Sequence, residues 1–272
     1  MNFLNIVPFT EPCSGLIKVP GSKSISNRAL ILATLCRSKI ELSGILESED
    51  VSLMRKALSS LGVEITCGSQ KNTLSVIGCG GDFPVKEQTI YVGNAGTVAR
   101  FLTALLAFQK VGVYHLDGSK AMRKRPMNEL IEALRKAGCR FQFHGEPGCF
   151  PFTIHSHGIQ GNSWKVDATK SSQVLSALLL ISPLINPLMN FQYDGGIVSE
   201  PFIEITLEMM KSFSPKQNLY FLKGTDFISL KSQGYTSDDM FYYIEPDATA
   251  ASYFLTLPLA TGGECMVEGI PL

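Results

Sequence analysis

The sequence predicts an α/β fold made of repeated βαβαββ units with pseudo-threefold symmetry, because two helix patterns recur along the chain at nearly constant spacing. An amphipathic pattern occupies 54–62, 130–138 and 206–214, and its equivalent apolar positions are 76 residues apart. Apolar residues recur in each copy at i, i+3 and i+4, which is typical of a helix with one buried face. Segments rich in β-formers separate the helices, so each unit is predicted to span about 75 residues.

A second, more apolar helix pattern begins after each of three similar loops. Arg28, Arg100 and Gln173 occupy equivalent positions in it, at spacings of 72 and 73 residues. Gly21 and Gly93 stand seven residues before the two arginines. A loop and a helix therefore repeat together, which a chance apolar run would not do.

The predicted strands alternate or cluster β-forming residues between turn residues. They are KIELSG, TLSVIG, TIYVG, GVYHLDG, PFTIHS, SWKVDA and NFQYDG. Two shorter strands, VEI and CRFQF, follow the glycines that end the first two amphipathic helices.

The repeats imply a division of the chain into domains. Three units fill 21–244, which we expect to form the first domain. A fourth unit begins near Glu245, so 1–20 plus 245–272 are predicted to form an incomplete part of a second domain. Because a unit without its second helix cannot bury its own apolar face, we expect apolar surface at 253–259 to be exposed and the chain to be cut short.

The composition is that of a globular protein with a sizeable core. Hydrophobic residues make up 45% of the 272 residues and charged residues 18%, which excludes extensive disorder. The 24 basic and 24 acidic residues cancel, so the chain has no net charge with which to coat nucleic acid or an anionic membrane. We therefore expect neither as a partner.

Three features favour a cytoplasmic location. The seven cysteines are scattered, odd in number and without a CxxC pair, which indicates a reducing compartment. The N-terminal residues MNFLNIVPFTEPCSG lack the basic and apolar regions of a signal peptide. The densest apolar run, Val174–Ile185, is too short to cross a bilayer.

The three loops before the apolar helices are predicted to bind an anion. Each places Ser, Thr, Gly or Asn at a helix start, where free backbone N–H groups and the helix dipole favour negative charge. Simple capping explains one such loop better, but three equivalent loops in a pseudo-threefold fold can meet on one side. Lys23, Arg28, Arg100 and Lys170 add positive charge there. The pattern therefore indicates a pocket for a small polyanionic ligand.

A basic segment, SKAMRKRPM at 119–127, lies between a predicted strand and the helix that starts near Asn128. A solvated basic turn is the usual structure of such a charge run. The alternative is a role in binding a carboxylate or phosphate, because the segment lies at the same edge as the three loops and Arg125 offers a planar fork of donors.

Other catalytic and metal patterns are absent from the sequence. GSKS lacks the spacing of a nucleotide-binding Walker A loop. His144, Cys149, His155 and His157 follow no zinc spacing, so no metal site is expected. Four histidines confined to 115–157 give no basis for a Ser-His-Asp or Cys-His pair.

Six segments occur in the order and spacing of a known family. They are PGSKSISNRAL, GNAGTVAR, RKRPM, KSSQ, VSEPFIEITL and PDATAASYFL. Over essentially its whole length, the sequence resembles the EPSP synthases, or 3-phosphoshikimate 1-carboxyvinyltransferases. The resemblance implies an inside-out α/β barrel, in which each of two domains has three βαβαββ units and ligands bind between the domains. It also implies transfer of the enolpyruvyl group of phosphoenolpyruvate to the 5-hydroxyl of shikimate 3-phosphate, in aromatic amino acid biosynthesis, without a metal or organic cofactor.

The matching motif positions imply two groups of ligand-binding residues. Those for shikimate 3-phosphate are Lys23, Ser24, Arg28, Ser171, Ser172, Gln173 and Ser199. Those for phosphoenolpyruvate are Lys23, Asn94, Gly96, Arg125 and Gln173, with Thr97 and Arg100 as further candidates. Glycine is needed at position 96 because a side chain there would occupy the space of the ligand. A complete family member is expected to be a monomer.

The sequence also departs from the family pattern. Phe101 stands where members often have proline, which bears on inhibitor sensitivity, and Phe202 where some have tyrosine, which bears on one ligand contact. The acid–base Asp, Glu and Lys and two further arginines are expected beyond residue 272, so this chain is predicted to bind without turnover. Two alternatives stay open: the enolpyruvyl transferase that acts on UDP-N-acetylglucosamine, and a non-catalytic anion-binding half-protein.

Overall fold

The computed structural model describes residues 4–270, which form seven α-helices and fourteen strands. The helices are α1 (Lys23–Leu35), α2 (Glu49–Ser60), α3 (Gly96–Ala107), α4 (Asn128–Lys136), α5 (Ser172–Ile181), α6 (Pro201–Ser212) and α7 (Ala248–Thr261). The strands are β1 (Cys13–Ile17), β2 (Lys39–Ser43), β3 (Glu64–Cys67), β4 (Thr73–Ile77), β5 (Glu87–Tyr91), β6 (Gly112–Asp117), β7 (Arg140–Phe143), β8 (Phe152–Ser156), β9 (Ser163–Val166), β10 (Leu188–Tyr193), β11 (Leu219–Lys223), β12 (Phe227–Ser232), β13 (Met240–Tyr243) and β14 (Gly263–Val267).

Twelve of these strands form three four-stranded sheets of one topology. In the order β5-β6-β8-β7, the first pair is parallel and the next two pairs are antiparallel. The orders β9-β10-β12-β11 and β13-β2-β4-β3 repeat this arrangement. Each sheet and its two helices make a βαβαββ unit, so the predicted α/β fold of repeated units is confirmed.

The first unit takes its leading strand from the end of the third unit. β13 pairs in parallel with β2, with Met240 opposite Ile40 and Tyr243 opposite Ser43. The other two units begin with β5 and β9, which directly precede their own helices in the chain. The strands β1, β11, β12, β13 and β14 were not identified from the sequence. For β13, the four residues show no alternation and their partner lies far away in the chain.

The apolar helices α1, α3 and α5 pack against one another on the inside of the three units. Leu30, Leu102 and Leu175, at equivalent positions of the repeat, are completely buried. The amphipathic helices α2, α4 and α6 bury one face, as their 3.6-residue pattern predicts. Truncating a buried leucine such as Leu102 to alanine costs about 2–5 kcal/mol, so this packing holds the starts of the inner helices firmly in place.

The terminal segments pair with each other. β1 and β14 form a parallel two-stranded sheet, and α7 packs beside it. Within α7, Ala251 is the buried residue, whereas Tyr253 is 74% and Leu259 88% exposed. The exposed apolar surface predicted at 253–259 is therefore present. None of the helices in residues 4–270 is both long and apolar enough to span a membrane.

The terminal segments meet the repeated units at Gly21, which forms a single β-bridge with Pro246. The backbone N–H of Ser22 donates to the carbonyl oxygen of Glu245 at 2.9 Å. A Cβ on Gly21 would lie 1.8 Å from the carbonyl oxygen of Gly44, so the close approach of these backbones requires glycine. This contact positions the start of α1.

Candidate anion-binding site

The starts of four helices meet around a cavity of about 170 Å³. They belong to α1, α3, α5 and α6, so the three loops predicted from the sequence come together and a fourth helix start joins them. The lining residues are Ser24, Arg28, Thr97, Lys170, Ser171, Ser172, Gln173, Val198, Ser199 and Phe202. None of these is acidic, and helix N-termini carry partial positive charge, so the cavity favours an anion.

Larger cavities lie elsewhere in the described part of the chain, and two of them have volumes of about 500 and 560 Å³. The first lies between α4 and β9 and includes four acidic residues in its wall. The second is lined by residues of 8–17 and by α7. Neither collects more than one helix start, so volume alone does not identify the anion site.

The start of α6 was not recognised from the sequence as part of the anion site, although Ser199 was. The helix has Pro201 at its first position, which is a common signal for a helix start. Ser199 precedes it with a φ of 58°, in the left-handed region that few residues other than glycine adopt. This turn brings Ser199 and the first turn of α6 to the cavity.

Capping accounts for part of the pattern at these helix starts. Ser22 caps α1 by accepting from the N–H of Ile25 at 3.5 Å, and Ser171 caps α5 by accepting from the N–H of Gln173 at 3.3 Å. At the start of α3 the cap residue is Ala95, which has no side-chain acceptor. The start of α3 is therefore not explained by side-chain capping, and a ligand could satisfy its N–H groups.

Arg28 lies beneath the cavity and is 2% exposed. Its Nε donates to Thr206 Oγ1 at 2.8 Å, and its Nη1 donates to the Oγ and the carbonyl oxygen of Ser24 at 2.5 and 3.3 Å. Its Nη2 donates to Ser176 Oγ at 3.1 Å and to the Phe202 carbonyl at 3.3 Å. The guanidinium is thus held by neutral oxygens from three helices.

The positive charge of Arg28 has no acidic partner. No carboxylate in residues 4–270 forms an ion pair with it, and burial lowers the pKa of its guanidinium to about 10. The side chain remains charged near neutral pH. A buried charge without a counter-ion is costly, so an anion in the cavity would be stabilised by it.

A second cationic cluster surrounds Gly96, at the start of α3. Arg100 Nη1 donates to the Gly96 carbonyl at 3.1 Å, and Arg125 Nη1 lies 3.5 Å from the Asn94 carbonyl oxygen. A Cβ on Gly96 would lie 3.1 Å from Arg100 Nη1, 3.3 Å from Arg125 Nη1 and 3.4 Å from Gln173 Oε1. A Cβ at these distances would be more crowded than most Cβ atoms in proteins. The backbone of residue 96 is therefore open to a ligand only because the residue is glycine.

The two arginines of this cluster repel each other. Burial, followed by the positive charge of Arg125, lowers the pKa of Arg100. Among residues 4–270, neither guanidinium has a carboxylate within 4.0 Å. Two nearby cations without a direct acidic partner are suited to binding an anionic ligand.

The whole sequence was then compared with known proteins. The family described as EPSP synthase (3-phosphoshikimate 1-carboxyvinyltransferase) matches residues 8–272. The chain belongs to the EPSP synthase family. A 3-phosphoshikimate 1-carboxyvinyltransferase of Opitutus terrae is 42% identical over 270 residues, which cover 99% of this chain and 62% of that relative. One of Sulfurovum sp. is 37% identical over 276 residues, with coverages of 99% and 62%.

Solved structures of the EPSP synthase family agree with this result. An EPSP synthase from Acinetobacter baumannii has a TM-score of 0.75 and 25% sequence identity, over 92% of this chain and 54% of that one. The family and the fold implied by the six sequence segments are therefore confirmed. The chain spans about 62% of the length of the curated relatives that it matches.

Of the seven residues that the family resemblance predicts for shikimate 3-phosphate, all but Lys23 line the cavity described above. The side chain of Lys23 is 53% exposed, and its Nζ lies 3.5 Å from Asp50 Oδ2. The sequence did not indicate this pairing. Gln173 belongs to both predicted groups, and it lies between them, because its Nε2 donates to Thr97 Oγ1 at 3.2 Å.

Lys170 lines the cavity, but its ammonium is paired with Glu129 Oε1 at 2.7 Å. The Glu129 side chain is only 12% exposed, and its hydrogen bond is the main cause of the raised pKa of Lys170. The same carboxylate opposes, without outweighing, the lowering of the Arg100 pKa by burial and by the charge of Arg125. Glu129 was not singled out from the sequence, although an acidic residue in the first turn of a helix is a usual dipole partner.

Most of the basic segment at 119–127 is a turn, and one residue of it reaches the Gly96 cluster. Residues 122–124 form a short 3₁₀ helix, and Arg123 pairs with Asp117 through two hydrogen bonds of 2.8 and 2.5 Å. Arg125, next in the chain, lies beside Gly96. The segment is therefore mainly a basic turn, and the interpretation that Arg125 binds a carboxylate or phosphate stays a prediction.

Two of the histidines considered as metal ligands, His144 and His155, have other partners. His144 Nε2 and His115 Nδ1 lie 2.6 and 2.7 Å from Thr153 Oγ1, and His155 Nε2 lies 3.4 Å from Gln142 Oε1. Within residues 4–270, no three His, Cys, Asp or Glu side chains are placed to hold a metal ion.

Proposed function

We propose that this protein takes part, as a 3-phosphoshikimate 1-carboxyvinyltransferase, in the transfer of the enolpyruvyl group of phosphoenolpyruvate to the 5-hydroxyl of shikimate 3-phosphate, with release of phosphate. The buried Arg28 beneath four converging helix starts, in a cavity lined by no acidic residue, carries the proposal. Helix starts and a guanidinium both favour the oxygens of a phosphate monoester. The reaction itself comes from the names of the relatives.

In this proposal, the cavity binds the phosphate group of shikimate 3-phosphate. Arg28 acts partly through Ser24, whose Oγ accepts from the guanidinium at 2.5 Å and so keeps its own hydrogen free to donate to the phosphate. The other donors to the ligand are Ser171, Ser172, Gln173 and Ser199, with Lys23 nearby on α1. The hydroxyl groups orient the phosphate through hydrogen bonds. Arg28 attracts it with a positive charge that bulk water does not screen, because the side chain is buried.

Phosphoenolpyruvate would bind at the neighbouring cluster around Gly96. Arg125 and Arg100 face its carboxylate or phosphate, and their mutual repulsion is relieved when an anion lies between them. This subsite also includes Asn94 and Thr97. Lys23 would contact phosphoenolpyruvate here as well as shikimate 3-phosphate. Gln173 joins the two subsites, so the two ligands would lie next to each other, as group transfer requires.

The reaction needs groups that give and take protons. None of the residues that line the cavity is an Asp, Glu or His, and its one lysine, Lys170, is paired with Glu129. We therefore expect the 272-residue chain to bind ligands without turning over. We also propose that 21–244 form the first domain, that 1–20 plus 245–272 contribute to the second, and that the complete protein is a cytoplasmic monomer without a metal or organic cofactor.

Ligand binding tests the proposal directly. We would titrate the protein with shikimate 3-phosphate, shikimate and UDP-N-acetylglucosamine, and follow binding by ligand-observed NMR. Shikimate 3-phosphate should bind with a dissociation constant of about 1 mM, or about 4 kcal/mol, and shikimate should bind much more weakly because it lacks the phosphate. Equal binding of the two would contradict the proposal, and preferential binding of UDP-N-acetylglucosamine would favour the sister enolpyruvyl transferase.

A phosphate-release assay tests the expected lack of turnover. With both substrates present, the 272-residue chain should release no phosphate above the background of a matched Arg28→Ala preparation. Measurable turnover would show that the chain supplies its own acid–base groups. Binding without any turnover, even after addition of a separately expressed remainder of a relative, would favour the non-catalytic anion-binding protein.

A further inference from the structure

Two aromatic rings from different helices contact the buried guanidinium of Arg28. Its Cζ lies 5.3 Å from the ring centroid of Phe101, on α3, and 5.7 Å from that of Phe202, on α6. Both distances are within the range of about 6 Å in which a cation is attracted to the face of an aromatic ring. Phe101 is 1% exposed and Phe202 38% exposed, so one ring is in the core and the other reaches the cavity wall.

The two aromatic rings stabilise the buried positive charge of Arg28, a role that a carboxylate more often has in proteins. Arg28 is desolvated and has only neutral hydrogen-bond acceptors. A carboxylate beside it would stabilise the cation but would also neutralise it and repel an incoming phosphate. The negative face of an aromatic ring stabilises the cation without bearing a net charge. The charge of Arg28 is thereby kept available for a ligand.

Phe202 also ties the start of α6 to Arg28 through its backbone. Its carbonyl oxygen accepts from Arg28 Nη2 at 3.3 Å and from Thr206 Oγ1 at 2.6 Å. Thr206 Oγ1 in turn accepts from Arg28 Nε. The ring, the carbonyl and the hydroxyl of one helical turn therefore hold the same guanidinium. Phe101 and Phe202 therefore approach the same side chain from two different helices.

We propose that Phe101 and Phe202 are positioning residues, whose rings hold the Arg28 guanidinium in one orientation and keep it charged without a carboxylate. The proposal rests on the proposed function for its ligand, shikimate 3-phosphate. The contacts of the two rings with Arg28 are present in the unliganded protein, so the orientation of Arg28 can be tested without a ligand.

The test compares Phe202→Leu and Phe101→Leu with Phe202→Tyr and with a matched control, Phe213→Leu. Phe213 is completely buried at the other end of α6 and packs on Tyr242, with ring centroids 4.9 Å apart. Both leucine variants at positions 101 and 202 should weaken binding of shikimate 3-phosphate by about 5- to 30-fold, the range that cation–π contacts imply, and change shikimate binding little. Phe202→Tyr keeps the ring and should restore binding. Phe213→Leu should lower thermal stability and leave the affinity unchanged.

Arginine-detected ¹⁵N NMR of the unliganded protein gives a readout that simple destabilisation would not change. The Arg28 signal, assigned with Arg28→Lys, should show slow rotation of the guanidinium in the native protein and in Phe213→Leu, and fast rotation in Phe202→Leu. Unchanged rotation in Phe202→Leu and Phe101→Leu would overturn the proposal. If the native protein fails to bind shikimate 3-phosphate, the proposed function fails, while the NMR comparison still decides the role of the two rings.

Discussion

The two cationic regions of the site differ in how firmly their arginines are held. All three nitrogens of the Arg28 guanidinium donate to oxygens of the protein, and the side chain is buried between helices. Arg125 is exposed, and within residues 4–270 its guanidinium makes a single hydrogen bond of 3.5 Å, to the carbonyl of Asn94. One arginine is thus fixed in advance by the fold, whereas the other is free to adjust.

The difference follows from where the residues lie in the repeat. Arg28 is in the second turn of an inner helix, so three packed helices surround it. Arg125 follows a 3₁₀ turn that carries two exposed cations, Arg123 and Lys124, and few packed side chains restrain it. A rigid arginine binds one ligand with little loss of conformational entropy. A mobile arginine loses conformational entropy when it binds an anion. We therefore expect the two regions to respond differently to substitution.

The largest effect is expected from Arg28→Ala. Loss of the charge and of the Ser24 contact should weaken binding of shikimate 3-phosphate by about 1.5–3 kcal/mol, the range for hydrogen bonds to charged groups. Calorimetric titration of the native and variant proteins measures the change. Circular dichroism would check that the variant is folded, because three hydroxyl and two carbonyl oxygens lose their donor.

Arg125→Ala is the matched comparison for the first prediction. It should weaken phosphoenolpyruvate binding and leave shikimate 3-phosphate nearly unaffected, because Arg125 belongs to the Gly96 cluster and does not line the cavity. If each arginine variant lost affinity for both ligands equally, the cavity and the Gly96 cluster would form one undivided site. The proposed difference between Arg28 and Arg125 would then be wrong.

An intermediate effect is expected from Gly96→Ala. The new methyl group would lie 3.1–3.4 Å from Arg100, Arg125 and Gln173, so it would push their side chains and fill the approach to the backbone. The apparent affinity for phosphoenolpyruvate should fall by about tenfold, or 1.4 kcal/mol, while that for shikimate 3-phosphate changes little. Competition NMR with both ligands measures this. Equal losses for the two ligands would mean that the substitution simply strains the start of α3.

The sequence predicted the helices and the convergence of the loops because both are repeated, local patterns. Leu30, Leu102 and Leu175 mark equivalent turns, and a threefold repeat has few ways to pack. The pairing of β13 with β2 was not predicted, since its partner residues, such as Met240 and Ile40, are about 200 positions apart and the strand is too short to show a period.

The sequence placed several residues that line the cavity near one another, and it did not predict the interactions between them. The helix-start motifs located Ser24, Arg28 and Gln173, because each follows a recognisable loop. The contacts of Phe101 and Phe202 with Arg28 depend on how α3 and α6 are oriented around α1, which no local pattern encodes. Tertiary packing decides such contacts, so only the structure could reveal that Phe101 and Phe202 share one partner.

The smallest effect is expected from Glu129→Gln, which acts on both regions at once. Its carboxylate pairs with Lys170 at 2.7 Å and stabilises the charge of Arg100. Removing this negative charge frees the ammonium of Lys170 for the cavity, so shikimate 3-phosphate should bind about two- to fivefold more tightly, the scale of an exposed ion pair. Glu132→Gln is the control, because Glu132 is one turn further along α4 and pairs with exposed Arg135. The gain should vanish at about 1 M salt, where the Debye length is about 3 Å. Weaker binding in Glu129→Gln would contradict this prediction. It would mean that the Glu129–Lys170 ion pair mainly holds the loop before α5 in place, so that the orientation of this loop affects binding more than the charge of Lys170 does.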